Sequence, residues 1–392
     1  MPPAACPYFL TFKKRNRFRM NRKLLKLFSL SLTILFTCFY TVTAQYSLKL
    51  KYKNSAVYAG IEVGAKGVKM SLLEIGKNAK KNGAFNAIKD TSVNTDFISF
   101  TNTTFEASLN AFCNLYKTAV NNYNIPTERV FTVISSGVKV QAEKDDKVGW
   151  ISKFVDSFRF KINEPARAVE IIDVLQEARL SHIGIIPEAK RYSTFLIDIG
   201  SGNTKDLKLF QLTWGTKSTA TATDKRCEDD KSIANFKRQL SRVIAGTVNT
   251  EVIYAVNESG AYNMSDNIAF SGGISWSIAN LLFPELVDNA VVSVTYDEVV
   301  KFNEVLSTNY TSLSDAIMVK NIKDSTLDKI TIANEIKKVN QVFDQKSLLA
   351  GTALLLKIMR QFEGVYEKKQ FFLIKNGQVG WISAYVDQNI GR

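Results

Sequence analysis

Histidine is nearly absent, with one residue, His182, in a chain of 392. A lone imidazole argues against histidine-based zinc sites and against nucleophilic triads that need a histidine base. Its place between the apolar-rich segments 175–180 and 183–186 reads as structural. Cysteine is also scarce. Of four, Cys6 and Cys38 lie within the first 44 residues, and Cys113 and Cys227 follow with no metal-ligand spacing. In an exported chain those two read either as a disulfide or as buried thiols, and the apolar neighbours Phe112 and Leu115 favour a buried thiol for Cys113. Prolines number 7 and no low-complexity or Pro-rich stretch divides the chain, so any hinge between halves must be a strand or helix that crosses from one to the other.

What is present is an ordinary globular composition. With 45% hydrophobic residues the chain can bury one large core or, on its length, two. The formal charge of +14 suggests a nucleic-acid partner until its distribution is followed. Residues 1–44 carry eight Lys or Arg and no acid. That leaves roughly +6 downstream, which fits solubility or a small polyanion and no specific nucleic-acid binding. The basic stretch Lys13–Lys26, the apolar run Leu24–Tyr40 and the small residues Val42-Thr43-Ala44 have the form of a signal peptide, read from Met1 or from Met20. Export, to the periplasm, is the expectation. The run of about 17 apolar residues stands at the lower edge for a bilayer span, so a membrane anchor is expected only if the leader is uncleaved.

One short word occurs twice. Residues 62–69 read E-V-G-A-K-G-V-K and residues 198–205 read D-I-G-S-G-N-T-K, each with an acid first, a glycine two places on and a lysine at the end. Both follow apolar, strand-like runs, 57–61 and 195–197. A turn that offers glycine and backbone N–H groups beside a carboxylate suits phosphate and a divalent cation. The repeat predicts two similar hairpins in two similar half-domains that face one cleft.

The coarse pattern alternates strands and helices. Strands are expected near 55–63, 67–75, 97–100, 130–134 and 168–172, with helices from 102 or 103, over 139–158 and over 174–183. The second half repeats the plan: a hairpin over 195–215, a helix over 231–245, a short buried strand at 268–270 that delivers Ser271-Gly272-Gly273 to a helix over 274–282, and an apolar core helix over 347–362. A strand-to-helix turn with Gly272 and Gly273 can bind phosphate. Residues 291–342 read as a mostly polar, helical insertion.

At these motifs the chain resembles the exopolyphosphatases and guanosine pentaphosphate phosphatases (Ppx/GppA), within the actin, sugar-kinase and Hsp70 ATPase fold. Val169-Glu170-Ile171-Ile172, Gln176-Glu177-Ala178-Arg179-Leu180 and 195–205 are similar to that family's E-I-I strand, E-E-A-R-L and D-I-G-G-G-S-T-E in order and spacing. Residues 62–69 resemble the first phosphate loop, D-x-G-S-N-S, and Ser135-Ser136-Gly137-Val138-Lys139 resembles T-S-A-x-R. Residues 351–381 resemble the closing helix and the strand after it, and the likeness spans about residues 55–385. The resemblance implies an α/β fold of two duplicated ribonuclease H-like lobes with an interlobe cleft, over 55–192 and 193–392, the last residues packing back on the first lobe.

The same resemblance implies the roles. Glu177 falls on the base that orients water for attack on a terminal phosphoryl group. Glu62 and Asp198 would hold Mg²⁺ or Mn²⁺. Gly64 and Ala65 in the first loop, Ser135 and Ser136, and Gly200, Ser201, Gly202, Asn203 and Thr204 in the second would cradle phosphate, with Lys69 and Lys139 neutralising outer oxygens. Polyphosphate or a nucleotide polyphosphate is the implied substrate, and a homodimer is among the expected assemblies. The departures are specific. Ser-Asn-Ser of the first loop is Ala65-Lys66-Gly67, Arg of the T-S-A-x-R motif is Lys139, Gln176 replaces a carboxylate, and the acid that ends the second loop is Lys205. Lysine offers no bidentate fork. Fewer acids weaken a cation site while added lysines can hold phosphate without one. Two expectations follow: an exported phosphatase, or a catalytically weakened phosphate-fold protein that binds a polyanion, nucleotide or protein partner.

Overall fold

The computed structural model describes residues 48–65, 67–77, 79, 85–200, 204–205, 210–363, 368–375 and 377–390. The leader, and with it the anchor expectation, lies outside the described residues. Among the described residues no helix is long and apolar enough to cross a membrane.

The first sheet is built on two strands with apolar residues on both faces. In β1 (Ala56–Val63), Ala59, Ile61 and Val63 enter one core while Tyr58 packs on the opposite one. In β2 (Gly67–Ile75), Val68, Met70 and Leu72 join the first core, and Leu73 and Ile75 join the second. Alternation along a strand sends neighbours to opposite faces, so both faces of this sheet must be covered. With β3 (Phe85–Asn94), β4 (Val130–Ile134) and β5 (Val169–Ile171) the order is β3-β2-β1-β4-β5. β1, β2 and β3 are antiparallel, whereas β1, β4 and β5 run parallel.

Helix α1 (Asn102–Lys117) starts at a reciprocal capping box between Thr101 and Thr104. It lays Phe105 and Phe112 against Phe154 and Phe158 of α3 (Val148–Ile162), which follows α2 (Ser136–Lys144). Two expectations fail here. Residues 97–100 form no strand: Phe97–Ser99 is a single 3₁₀ turn between Asp96 (φ 53) and Phe100 (φ 45), and Phe97 buries its ring 4.8 Å from that of Phe154. The aromatic payload sets the burial, and a turn delivers it as well as a strand would. The expected helix over 139–158 is two helices, because Asp146 is left-handed (φ 54) and Lys147 N–H closes back on the Ala142 carbonyl.

Helix α4 (Val174–Ile185), capped by the Asp173 carboxylate on Gln176 N–H, leads to the second sheet. There β6 (Thr194–Ile199), β7 (Thr204–Lys205) and β8 (Gln211–Leu212) form an antiparallel meander. Then come α5 (Thr216–Arg226), α6 (Ile233–Val243) and α7 (Asn249–Ser259), followed by the single helical turn Ala261–Met264. Strand β9 (Asn267–Ser271) then enters parallel to β6 and delivers α8 (Gly273–Leu282). The stretch expected to be a helical insertion opens with a strand, β10 (Val291–Val294), before α9 (Tyr296–Thr308), α10 (Asp315–Asn321) and α11 (Lys329–Val342). The core helix α12 (Gln345–Phe362), β11 (Gln370–Ile374) and α13 (Gly377–Asn389) complete the fold.

The second sheet has the order β10-β11-β9-β6-β7-β8. With β10 set aside as an antiparallel edge strand, this is the first sheet's plan again: a meander β6-β7-β8, then β9 and β11 parallel to β6. The fold is therefore α/β with two ribonuclease H-like sheets in tandem, as the resemblance implies, each carrying one of the two hairpins that the repeated word predicts. Two helices join them. α4 runs from the first sheet to the second, and α13 returns to cover the first, its Val379, Trp381, Ile382 and Val386 packing with Leu73, Val133 and Ile172. The two pack together at glycines, for a Cβ on Gly184 would lie 1.9 Å from the Gly380 carbonyl oxygen.

The thiols and the histidine settle simply. Cys113 and Cys227 are free and buried in different cores, so they do not pair. His182 Nε2–H donates to the Thr194 carbonyl at 3.1 Å, and burial lowers its pKa, which suits a neutral structural ring.

Candidate functional site

The duplicated plan places equivalent loops at equivalent strand ends. In the first half, β1 and β4 are parallel and end side by side, Ser135 N–H donating to the Val63 carbonyl at 3.0 Å. That bond sets Gly64 beside Ser135 and Ser136. Glu177, in the first turn of α4, reaches the same place and its Oε2 accepts from Ser136 N–H at 3.1 Å, on the first residue of α2. The expected base, the serine pair and the first loop thus meet at one strand end. A carboxylate on the N-terminus of a helix is also electrostatically favoured.

In the second half, β6 and β9 end side by side in the same way. Ser271 Oγ–H donates to Asp198 Oδ1 at 2.8 Å. Gly272 has φ +94, and a Cβ there would lie 2.2 Å from the Ile199 carbonyl oxygen and 3.2 Å from Asp198 Oδ1. Only glycine lets the backbone pass so close, so the start of α8 sits against the Asp198 carboxylate. The Gly200 carbonyl accepts from Thr216 N–H at the start of α5. Ser201, Gly202 and Asn203 lie outside the described residues, and Thr204 pairs with Ile199 in β7.

One helix touches the end of β9 and the interior of β1. A Cβ on Gly377, the first residue of α13, would lie 2.5 Å from Ser271 Cβ, beside Asp198's partner. Five residues on, Ile382 packs on Gly60 of β1, where a Cβ would come within 2.4 Å. At 1.5 Å per residue those two contacts are about 8 Å apart along the helix. Between α13 and the first sheet lies a cavity of about 80 Å³ lined by Glu62, Lys69, Ser71, Asp90, Thr91 and Ser92, with Val379 and Ile382 on the helix side. Ser71 Oγ–H donates to Asp90 Oδ1 at 2.6 Å. Asp90, Thr91 and Ser92 escape sequence reasoning because β3 is an exposed edge strand without apolar alternation.

Several backbone amides expected to face an anion are used within the fold. Gly64 N–H closes its own hairpin on the Gly67 carbonyl at 2.8 Å, Ser135 N–H is on Val63 and Ser136 N–H is on Glu177. Lys139, half-buried on α2, lies 3.9 Å from Glu143. Ala65 and Gly273 stand beside Gly64 and Gly272 at the two turns.

Among the described residues, which leave out 201–203 and 206–209 beside Asp198, the donor set does not fit a tightly held divalent cation. Mg²⁺ takes hard oxygen ligands and favours clustered carboxylates. Among the described residues no group of three or more His, Cys, Asp or Glu could hold a metal ion. Glu62 is the direct cross-strand partner of Lys69, and the backbone of Asp198 is in register with that of Lys205.

Comparison with known proteins agrees with this architecture. No family model matches the sequence, and no curated protein matches it. Among solved structures, the chain is similar to the type II variant of the Aquifex aeolicus Ppx/GppA phosphatase, at 15% identity and a TM-score of 0.55, over 83% of this chain and 98% of that one. A second crystal structure of the Aquifex aeolicus Ppx/GppA family member matches at 15% identity and a TM-score of 0.53, over 86% and 100%. Likeness at this identity is a likeness of fold, and it extends over nearly the whole described chain.

Proposed function

We propose that this chain is an exported phosphatase of the Ppx/GppA type that removes terminal phosphate from a linear phosphoanhydride, inorganic polyphosphate before a nucleotide polyphosphate. The observation that carries this is the pair of equivalent strand ends, each holding one fixed carboxylate: Glu177 on Ser136 N–H, and Asp198 on Ser271 Oγ–H. Glu177 is the group placed to orient water. Attack of the water oxygen on the terminal phosphorus breaks the bridging P–O bond, the shortened chain leaves with that oxygen, and Glu177 takes the proton. Such a displacement asks the protein mainly for position and charge neutralisation. Lys69 and Lys139 are the cations offered to the outer oxygens. Export favours polyphosphate as substrate, since nucleotides are scarce outside the cytoplasm.

A second function, binding without turnover, is favoured by Lys205, the residue in register with Asp198. One assay separates the two: phosphate release from polyphosphate by the purified chain and by Glu177→Gln, with binding measured in parallel. Loss of at least about a hundredfold in rate with binding retained supports hydrolysis through Glu177. Equal rates remove Glu177 from the chemistry, and binding without release by either protein selects the second function.

A further inference from the structure

A chain of side-chain contacts leads from α13 to the candidate base. Tyr385 is buried between α13 and the first sheet, its ring edge-on to that of Phe131 at 6.1 Å. Its hydroxyl donates to Glu170 Oε2 at 2.6 Å. Glu170 is an exposed residue of β5, and its other oxygen, Oε1, accepts from Gln176 Nε2 at 3.2 Å. Gln176 precedes Glu177 in the first turn of α4, and its own N–H is held by the Asp173 carboxylate at 2.8 Å. Three side chains thus tie α13, β5 and α4 together, one residue from the carboxylate that sits on Ser136 N–H. An ionised carboxylate only accepts, so Glu170 needs a donor on each side, and a phenol and an amide supply them. The acid that the resemblance places at 176 would set two carboxylates against each other here, a repulsion that Gln176 removes.

The same helix begins at the end of β9. Gly377 stands against Ser271, whose hydroxyl holds Asp198, and Tyr385 follows eight residues later, about 12 Å along the axis. One helix therefore reaches both fixed carboxylates through their hydrogen-bonded neighbours. We infer, resting on the phosphatase function proposed above, that Tyr385 is a positioning residue: through Glu170 and Gln176 it sets the first turn of α4, and with it Glu177, relative to the strand end that holds Asp198. Orienting water against phosphorus tolerates little displacement, for an error of about 1 Å can cost on the order of a hundredfold in rate. Release of one contact in the chain should cost a part of that.

The test is steady-state phosphate release from polyphosphate by the native chain and its variants, with the fold of each checked by a thermal melt. Tyr385→Phe keeps the ring against Phe131 and removes only the hydroxyl, so it should lower kcat about tenfold with KM within about twofold. Glu170→Ala should act alike, and the double variant should be no slower than the slower single one, because both changes cut one chain. Gln176→Glu, which restores the acid of the resemblance, should lower kcat rather than raise it. Native kcat in Tyr385→Phe, effects that multiply in the double variant, or a faster Gln176→Glu would each overturn the inference and leave the phosphatase function standing. A raised KM with kcat unchanged would place Tyr385 in substrate binding and overturn it too. If the native chain releases no phosphate, the phosphatase function falls and this inference falls with it.

Discussion

The contact between α4 and α13 makes an asymmetric prediction. A Cβ added at Gly184 meets backbone, 1.9 Å from the Gly380 carbonyl oxygen and 2.7 Å from its carbon, with the Ala384 Cβ at 3.3 Å. A Cβ added at Gly380 meets instead the side chain of Ile185, at 2.4 and 2.8 Å. Ile185 can rotate, whereas the α13 backbone can yield only if the helix moves. To bring the first contact from 1.9 Å to the 3.0 Å below which real Cβ atoms essentially do not approach, the helices must separate by about 1 Å across a packed core. Overpacking of that kind costs about 3 kcal/mol, from which Ala recovers up to about 1 kcal/mol of helix propensity over Gly. Gly184→Ala should therefore lose about 2 kcal/mol, lowering Tm by roughly 3 °C for a body of about 340 residues. For Gly380→Ala the side-chain clash and the propensity gain should nearly cancel, within about 0.5 kcal/mol. Urea denaturation followed by circular dichroism measures both. If Gly184→Ala proves as stable as Gly380→Ala, the two helices do not pack backbone to backbone and the joint between the sheets is built differently.

Three further outcomes follow from buried groups. Glu74, with no exposed surface, accepts from Lys51 N–H, Tyr52 N–H, Ser55 Oγ–H and Asn86 Nδ2–H; burial pushes its carboxyl up, but those hydrogen bonds outweigh it and hold the pKa below the ordinary value. Its stabilisation is present above the unfolded glutamate pKa of about 4.3 and is lost as pH falls through the lower folded value, so Glu74→Gln should cost about 2 kcal/mol at neutral pH in urea melts and flatten the acid limb of the stability curve. Lys375, whose ammonium donates to the Leu286 carbonyl, is lowered to about 8 by burial, against the pull of Glu335, Asp288 and Glu285. The unfolded chain then binds the extra proton between pH 8 and its ordinary value, so the native chain should gain stability over Lys375→Met, by roughly 2 kcal/mol, as pH rises across that window, with no gain if the amine is solvated. Cys113 and Cys227 should stay unreactive toward a thiol reagent in the native protein and react after unfolding; a disulfide-linked species without reductant would contradict their separate cores.

Much of the architecture is legible in the sequence because it rests on strongly patterned stretches. The residues of β1, β2, β4 and β9 are apolar on both faces, and the repeated acid–glycine–lysine word marks two hairpins whose partners occupy matching positions. What escapes is whatever local pattern does not encode. β3 is read as nothing because half of its residues are exposed and none is buried, and its hydrogen bonds come from pairing with β2. α5, Thr-rich and weakly helical by propensity, is held by packing on α12, with Thr216, Thr219 and Thr223 buried. At the site, the repeated word points to Asp198 and the family resemblance to Glu177, but their partners, Ser271 Oγ–H and Ser136 N–H, are 73 and 41 residues away in sequence. The cavity residues on β3 come within reach only through the register of β2 with β3. No local signal predicts such pairings.

The returning helix sets an order on synthesis. Leu73, Val133 and Ile172 belong to the earlier part of the chain, yet Trp381, Ile382 and Val386, which cover them, are translated about two hundred residues after Ile172. Until that last segment emerges, one side of the first sheet is an apolar wall covered in this core only by residues such as Leu180 and Ile183 of α4, while every strand of the sheet already exists. A ribosome-bound chain would present this wall to chaperones. A nascent chain lacking residues 377–389 should be a chaperone client even with its strands complete.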